Sequence, residues 1–120
     1  MDTYNELYEE QFISSLFCIH ERPGAFLGTP SLIKLLDFTA GYAFAVYKLT
    51  GYHLMFERRF RQYLLEKYHI SEFPCSLSEF FTQGKSDKEG FEAFFHELKL
   101  FCQANNHPQN SENPRIPKDS

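Results

Sequence analysis

The chain has 120 residues and a mass of 14.2 kDa, a size that suits one domain. Apolar residues make up 42% and aromatics 18%, including fourteen Phe and seven Tyr, so global disorder is excluded and one core forms without metal or disulfide support. Sixteen acids against twelve Lys or Arg leave a net charge of −4, which argues against a nucleic-acid binder and its concentrated positive footprint.

Tyr4, Leu7, Tyr8, Phe12, Leu16 and Ile19 recur every three or four residues, widened by Ile13 and Phe17. They predict a first helix over residues 3–20, capped by Asp2 or Thr3. Pro23 ends that pattern. Gly24 and Gly28 then predict a tight connection, with Phe26 and Leu27 anchoring it in the core. A second helix starts at Thr29 or Ser31, takes Pro30 early and runs to about Leu49. Its apolar residues occupy more than one face, which predicts the central, most enclosed helix, with Gly41 packed closely against a bulky ring. A hairpin within residues 42–52 is the competing reading of the same apolar run.

A third helix extends from Tyr52 or His53 to Tyr68, with Phe56, Phe60, Tyr63, Leu64 and Tyr68 facing inward. A loop follows over residues 71–75, centred on Pro74, and Ser76 or Ser78 opens a short helix that Gly84 ends. Ser86 and Glu89 have the spacing of a capping box at the head of a last helix carrying Phe91, Phe94, Phe95, Leu98, Phe101 and Cys102. From Asn105 the chain turns polar and proline-rich, which predicts a flexible tail over residues 105–120. The expected fold is all-α: a compact orthogonal or bundle-like array of four to five helices, with residues 1–104 as a single domain.

The first 21 residues carry Asp2, Glu6, Glu9, Glu10 and Glu21 and no Lys or Arg. Such a run reads as a solvated helix face or as an acidic face for a basic protein partner. Glu72, Glu79, Asp87, Glu89, Glu92 and Glu97 form a second acidic group, and convergence of the two in space would favour the interface. Arg58, Arg59 and Arg61 are the strongest positive cluster, read as helix stabilisation through Glu57–Arg61 and Arg58–Gln62 spacing. His53–Glu57, Glu92–His96 and Glu66–His69 have helical spacings that would suit acid–base pairs or two metal ligands, yet no motif supplies a third ligand or a nucleophile. No catalytic, cofactor or metal residue is therefore assigned. Cys18, Cys75 and Cys102 are odd in number and far apart, which reads as free thiols in a reduced, cytoplasmic compartment. No signal peptide is expected, and the longest apolar stretch, residues 42–47, is far below membrane-spanning length.

Two resemblances bear on function. Arg22-Pro23-Gly24-Ala25-Phe26-Leu27-Gly28 resembles a seven-residue stretch near the nucleotide site of type II topoisomerase ATPase domains. The metal-associated Asn and the glycine-rich phosphate lid of that family are missing, so a structural turn explains the overlap better than ATP hydrolysis. More broadly, that segment followed by Ser31-Leu32, Leu35, Phe38, Gly41-Tyr42, a Phe/Tyr helix and a Phe-rich last helix resembles small immunity proteins of polymorphic toxin or contact-dependent inhibition systems. The resemblance spans residues 10–103 and implies a noncovalent inhibitor in the producing bacterium, without cofactor or turnover. It implies a toxin-domain partner, such as a basic nuclease; the charge balance and the short apolar runs give no direct contact with nucleic acid or membrane. On charge, Glu6, Glu9, Glu10 and Glu89 are the candidate partner contacts, and Tyr8 falls between a contact and a core role. A helical scaffold or regulator is the alternative, and a metal-dependent enzyme a third; oligomeric state stays open.

Overall fold

The structure, a computed structural model, describes residues 3–71 and 76–109. The described residues form six helices and no strand. Helix α1 (Glu6–Glu21) is capped by Asn5, whose side chain accepts from the Tyr8 amide at 3.0 Å. Thr3 stays outside the helix, and the other predicted cap, Asp2, lies outside the described residues. Pro23 begins a further short helix, α2 (Pro23–Leu27), because proline suits a first turn where its missing amide is no loss. Gly28 ends α2 at φ 82°, a left-handed conformation that glycine adopts without penalty. The expected core anchor is only half realised: Leu27 packs at the edge of the core, whereas Phe26 is exposed.

Ser31 caps α3 (Leu32–Thr50), accepting from the Lys34 amide at 3.2 Å. Asp87 adds a second cap from a distant part of the chain, accepting from the Ile33 amide at 3.0 Å. The helix runs unbroken to Gly51 (φ 78°), so residues 42–50 form no hairpin. Helix α4 (Phe56–Tyr68) starts three residues or more after its predicted beginning, because Tyr52 is buried and engaged elsewhere. Helix α5 (Leu77–Thr82) is capped by Ser76. The loop reading centred on Pro74, with Glu72 and Cys75, lies outside the described residues. Helix α6 (Asp87–Ala104) opens on the expected capping box: Ser86 Oγ accepts from the Glu89 amide at 3.1 Å, and Glu89 Oε1 accepts from the Ser86 amide at 2.9 Å.

Helix α6 is the centre of the fold. Phe91, Phe94, Phe95, Leu98, Phe101 and Cys102 are all buried on it, and it packs against α3, α4 and α5. Phe17 and His20, late in α1, meet Phe91, Glu92 and Phe95 in the first half of α6, while Glu10, early in α1, lies beside Cys102 and His107 at its far end. The two helices therefore run antiparallel. From α4, Phe60 reaches Phe94 and Phe101 at ring separations of 5.3 and 5.5 Å. Burial pushes the Cys102 thiol up to about 12, so it behaves as a small hydrophobe; Cys18 is half-buried.

The expectation that α3 is the most enclosed helix is corrected: only Leu32 and Leu35 are buried on it, and Phe38 is partly so. Gly41 likewise packs against nothing, for a Cβ there would meet no atom within 4 Å. The close-packed glycine is Gly90, where a Cβ would stand 2.7 Å from Thr82 Cγ2 and 3.1 Å from the Phe81 carbonyl oxygen. Gly90→Ala is expected to destabilise the fold by about 1–3 kcal/mol despite its gain in helix propensity. Gly41→Ala, in dilute solution, should instead gain up to about 1 kcal/mol. Urea unfolding of both variants checks the pair, and equal effects would place the tight contact elsewhere.

Residues Asn105–Gln109 belong to the folded body, which moves the predicted start of the tail. Asn105 Nδ2 donates to the Phe101 carbonyl at 2.9 Å, the His107 amide donates to the Cys102 carbonyl at 2.9 Å, and the His107 ring is buried against Phe101. Residues 110–120 of the predicted tail lie outside the described residues. Among the described residues, no helix is long and apolar enough to cross a membrane.

Candidate protein-binding surface

Glu6, Glu9, Glu10 and Glu89 do not form one surface. Glu6 to Glu10 start α1 and Glu89 starts the antiparallel α6, so they stand at opposite ends of the helix pair. Glu9 is 0% exposed and Glu10 is 7% exposed, which removes both from a solvated acidic face. The reason lies in α3's exit. Tyr52, just beyond the Gly51 cap, folds back so that its hydroxyl donates to Glu9 Oε2 at 2.6 Å, and the Met55 amide donates to the same oxygen at 2.8 Å. The Asn5 amide donates to that hydroxyl at 3.0 Å. Burial, reinforced by Glu9 and opposed by the Asn5 amide, pushes the Tyr52 phenol up to about 12. Glu9 thus ties the end of α3 to the start of α1. Of the four residues, Glu6 and Glu89 stay exposed, and the capping bonds with Ser86 hold Glu89 below its ordinary value.

From α4, Arg59 brings a positive charge beside the residues that lead into α1. Arg59 donates to the Tyr4 hydroxyl at 2.9 Å and to Asn105 Oδ1 at 3.2 Å, with its guanidinium 5.0 Å from the Tyr4 ring centroid and 5.8 Å from that of Phe101. His107 lies in the same electrostatic neighbourhood. Burial first, then Arg59, lowers its pKa from the ordinary 6.5, against the opposing pull of Glu10, Glu9 and Glu6. A histidine with a depressed folded value stabilises fully above about pH 6.5 and loses that contribution as pH falls through the folded value. The melting temperature should therefore drop on acidification from pH 7 to 5 more steeply than in His107→Gln. Parallel slopes would show that His107 does not carry the effect.

None of the three helical His–Glu spacings forms an ion pair among the described residues. His20 Nε2 instead meets Glu92 Oε1 at 2.9 Å, His53 stacks on Tyr47 at 4.4 Å, and Glu66 accepts from Gln62 at 3.0 Å. Glu57 pairs with Arg61 at 3.0 Å, as its spacing predicts. Glu97 is buried and accepts from Lys67 Nζ at 2.7 Å and from the Tyr68 hydroxyl, so it leaves the second acidic group for the interior. No group of three or more His, Cys, Asp or Glu arranged to hold a metal ion occurs among the described residues.

Exposed apolar side chains gather on the second half of α3. Phe44 is 64% exposed, Leu49 85%, Tyr47 44% and, nearer the start, Ile33 55%. Helicity persists there because Gly51 closes the last turn, donating to the Tyr47 carbonyl at 2.8 Å, and because the Glu9–Tyr52 tie anchors the chain just beyond the helix. A groove of about 330 Å³ runs along the α1 flank, lined by Tyr8, Gln11, Tyr42, Ala45, Val46 and Leu49. Tyr8 thus sits half-buried at an edge, in ring contact with Tyr52 at 5.5 Å. On the opposite flank a second cavity of about 260 Å³ is floored by Phe12, Leu36, Phe56, Leu77 and Phe94, with Glu57 and Arg61 also in its lining. Exposed aliphatic and aromatic side chains beside a concave apolar groove suit the burial of a partner's side chains.

Charge placement missed Phe44, Tyr47 and Leu49. Their signal was present as apolar residues on more than one face of α3, and that excess reads equally as deep burial or as an outward binding face. No protein-family model, curated protein or solved structure matches this chain.

Proposed function

We propose that the chain is a noncovalent protein inhibitor, an immunity protein that neutralises a bacterial toxin domain such as a nuclease. The observation that carries the binding role is the exposed apolar second half of α3 beside the Tyr8–Leu49 groove. The resemblance to toxin-associated immunity proteins supplies the class of partner. Apolar anchors dominate the energetics of such an interface, and the net charge of −4 steers encounter with a basic domain. The buried Glu9 acts here as scaffold, holding α3 against α1, while Glu6 and Glu89 contribute to the surrounding field. Rim ion pairs add only about 0–1 kcal/mol each.

Titration against a panel of purified bacterial nuclease toxin domains, with nuclease activity as the readout, tests the proposal. One domain should be bound and inhibited, and Leu49→Asp should weaken both by about 30-fold or more with the helical spectrum unchanged. Glu6→Gln should act mainly at low salt. Binding without inhibition would favour a helical scaffold. Inhibition by Leu49→Asp at native strength would remove the groove from the interface.

A further inference from the structure

Along the solvent side of α3, away from the groove, Asp37, Gly41, Phe44 and Lys48 follow one another at spacings of four, three and four residues. Those spacings place them on one helix face, and all four are exposed. Among the described residues, neither Asp37 nor Lys48 has a side-chain partner. Phe44 is a large ring left in water, and Gly41 lies in mid-helix with open space where its side chain would be. An exposed mid-helix glycine costs about 1 kcal/mol relative to Ala, and nothing inside the monomer offsets it. The stripe is complementary to itself. A two-fold axis passing midway between Tyr42 and Ala43 sets Asp37 of one copy opposite Lys48 of the second copy, and Lys48 opposite Asp37. The same axis sets Phe44 opposite Gly41, twice, so that each ring fills the space left by the missing side chain. The charged ends of the stripe are about 16 Å apart along the helix, which puts both ion pairs at the ends and both rings between them.

We infer that the chain forms an isologous dimer through antiparallel packing of α3 against α3 of a second copy. A two-fold interface requires self-complementarity, and a helix face bearing opposite charges at its two ends meets that requirement only in the antiparallel orientation. In the parallel arrangement Asp37 would face Asp37 and Lys48 would face Lys48. Gly41 allows the close axial approach that brings the Phe44 rings into contact. Ala40 and Ala45 flank the stripe with small side chains. The contact covers about three helical turns, which is a small interface and makes the dimer reversible and dependent on concentration. The stripe shares Phe44 with the exposed apolar half of α3 but no residue with the Tyr8–Leu49 groove, so self-association is tested separately from toxin binding, which Leu49→Asp reads.

Sedimentation equilibrium of the full chain over a range of concentrations tests it. The native chain should pass from monomer to dimer, with no higher species because the interface closes on itself. Asp37→Lys and Lys48→Asp should each weaken association by about tenfold or more, since each places two like-charged pairs across the axis. Combining the two reverses both pairs and should restore the dimer. Gly41→Leu should abolish association while the monomer retains its helical spectrum and melting temperature. A native chain that stays monomeric throughout, or a dimer that tolerates both single charge reversals and Gly41→Leu, overturns the inference. Failure of the double reversal to recover association overturns the antiparallel register.

Discussion

Replacing Phe60 by Ala will lower folding stability by about 3–5 kcal/mol. Phe60 is 0% exposed, and its ring lies 5.3 Å from Phe56, 5.3 Å from Phe94 and 5.5 Å from Phe101, with Tyr63 and Phe81 each at 6.3 Å. The substitution removes the apolar area of one ring and leaves a cavity whose walls belong to α4, α5 and α6, so no single helix can move in to fill it. A loss of that size is a large share of the roughly 5–15 kcal/mol that holds an ordinary domain together. Phe95→Ala, also buried, should fall in the same range, whereas Phe44→Ala in dilute solution should stay within about 0.5 kcal/mol because its ring is largely in water. Chemical unfolding followed by circular dichroism separates the three. A Phe60→Ala midpoint equal to the native one would mean that the aromatic cluster does not meet at α4.

Glu9→Ala will be the most damaging change at a charged position. It leaves the Tyr52 hydroxyl and the Met55 amide, both turned toward the interior, without the carboxylate oxygen that accepts from them at 2.6 and 2.8 Å. An abandoned buried donor costs about 1–3 kcal/mol, so the loss should reach roughly 2–5 kcal/mol. Glu9→Gln keeps one acceptor oxygen and should lose less. Tyr52→Phe deletes one donor and the acceptor of the Asn5 amide, and a cycle with Glu9→Ala should show coupling of about 0.5–3 kcal/mol. Hydrogen exchange should accelerate at the Met55 amide in Glu9→Ala while amides in the middle of α6 change only with the global loss. A triple Glu6, Glu9 and Glu10 to Gln variant, neutral to the fold if all three were solvated, should now be destabilised through position 9. An unaltered midpoint in Glu9→Ala would show that the Tyr52 tie does not hold α3 to α1.

How far these residues could be read in advance divides along a physical line. Helix existence, the caps at Ser31 and Ser76, the Ser86–Glu89 box and the inward set Phe60, Phe91, Phe94, Phe95 and Leu98 were legible because each depends on residues within one or two turns of each other. The all-α class followed from the same local periods. Asn5 displaced Asp2 and Thr3 as the first cap, and Pro23 ended the first helix as expected but also began the short helix α2; neither difference changes the all-α class.

The candidate surface was not legible, since its residues are defined by what does or does not lie across from them. Periodicity ranks the faces of α3 by apolarity but carries no information on where neighbouring helices stop, so Leu49, read with the enclosed helix, emerges exposed. Glu9 and Glu97 read as solvated acids and emerge buried, because Tyr52 and Met55 arrive at Glu9 Oε2, and Lys67 and Tyr68 at Glu97, from other segments of the chain. Arg59 supplies from α4 a positive charge that the first 21 residues lack. By itself the sequence determined the helices and the apolar faces that collapse together. Only the tertiary structure decided which charges are sealed inside and which apolar side chains are left for a partner, because burial depends on contacts between segments far apart in the chain.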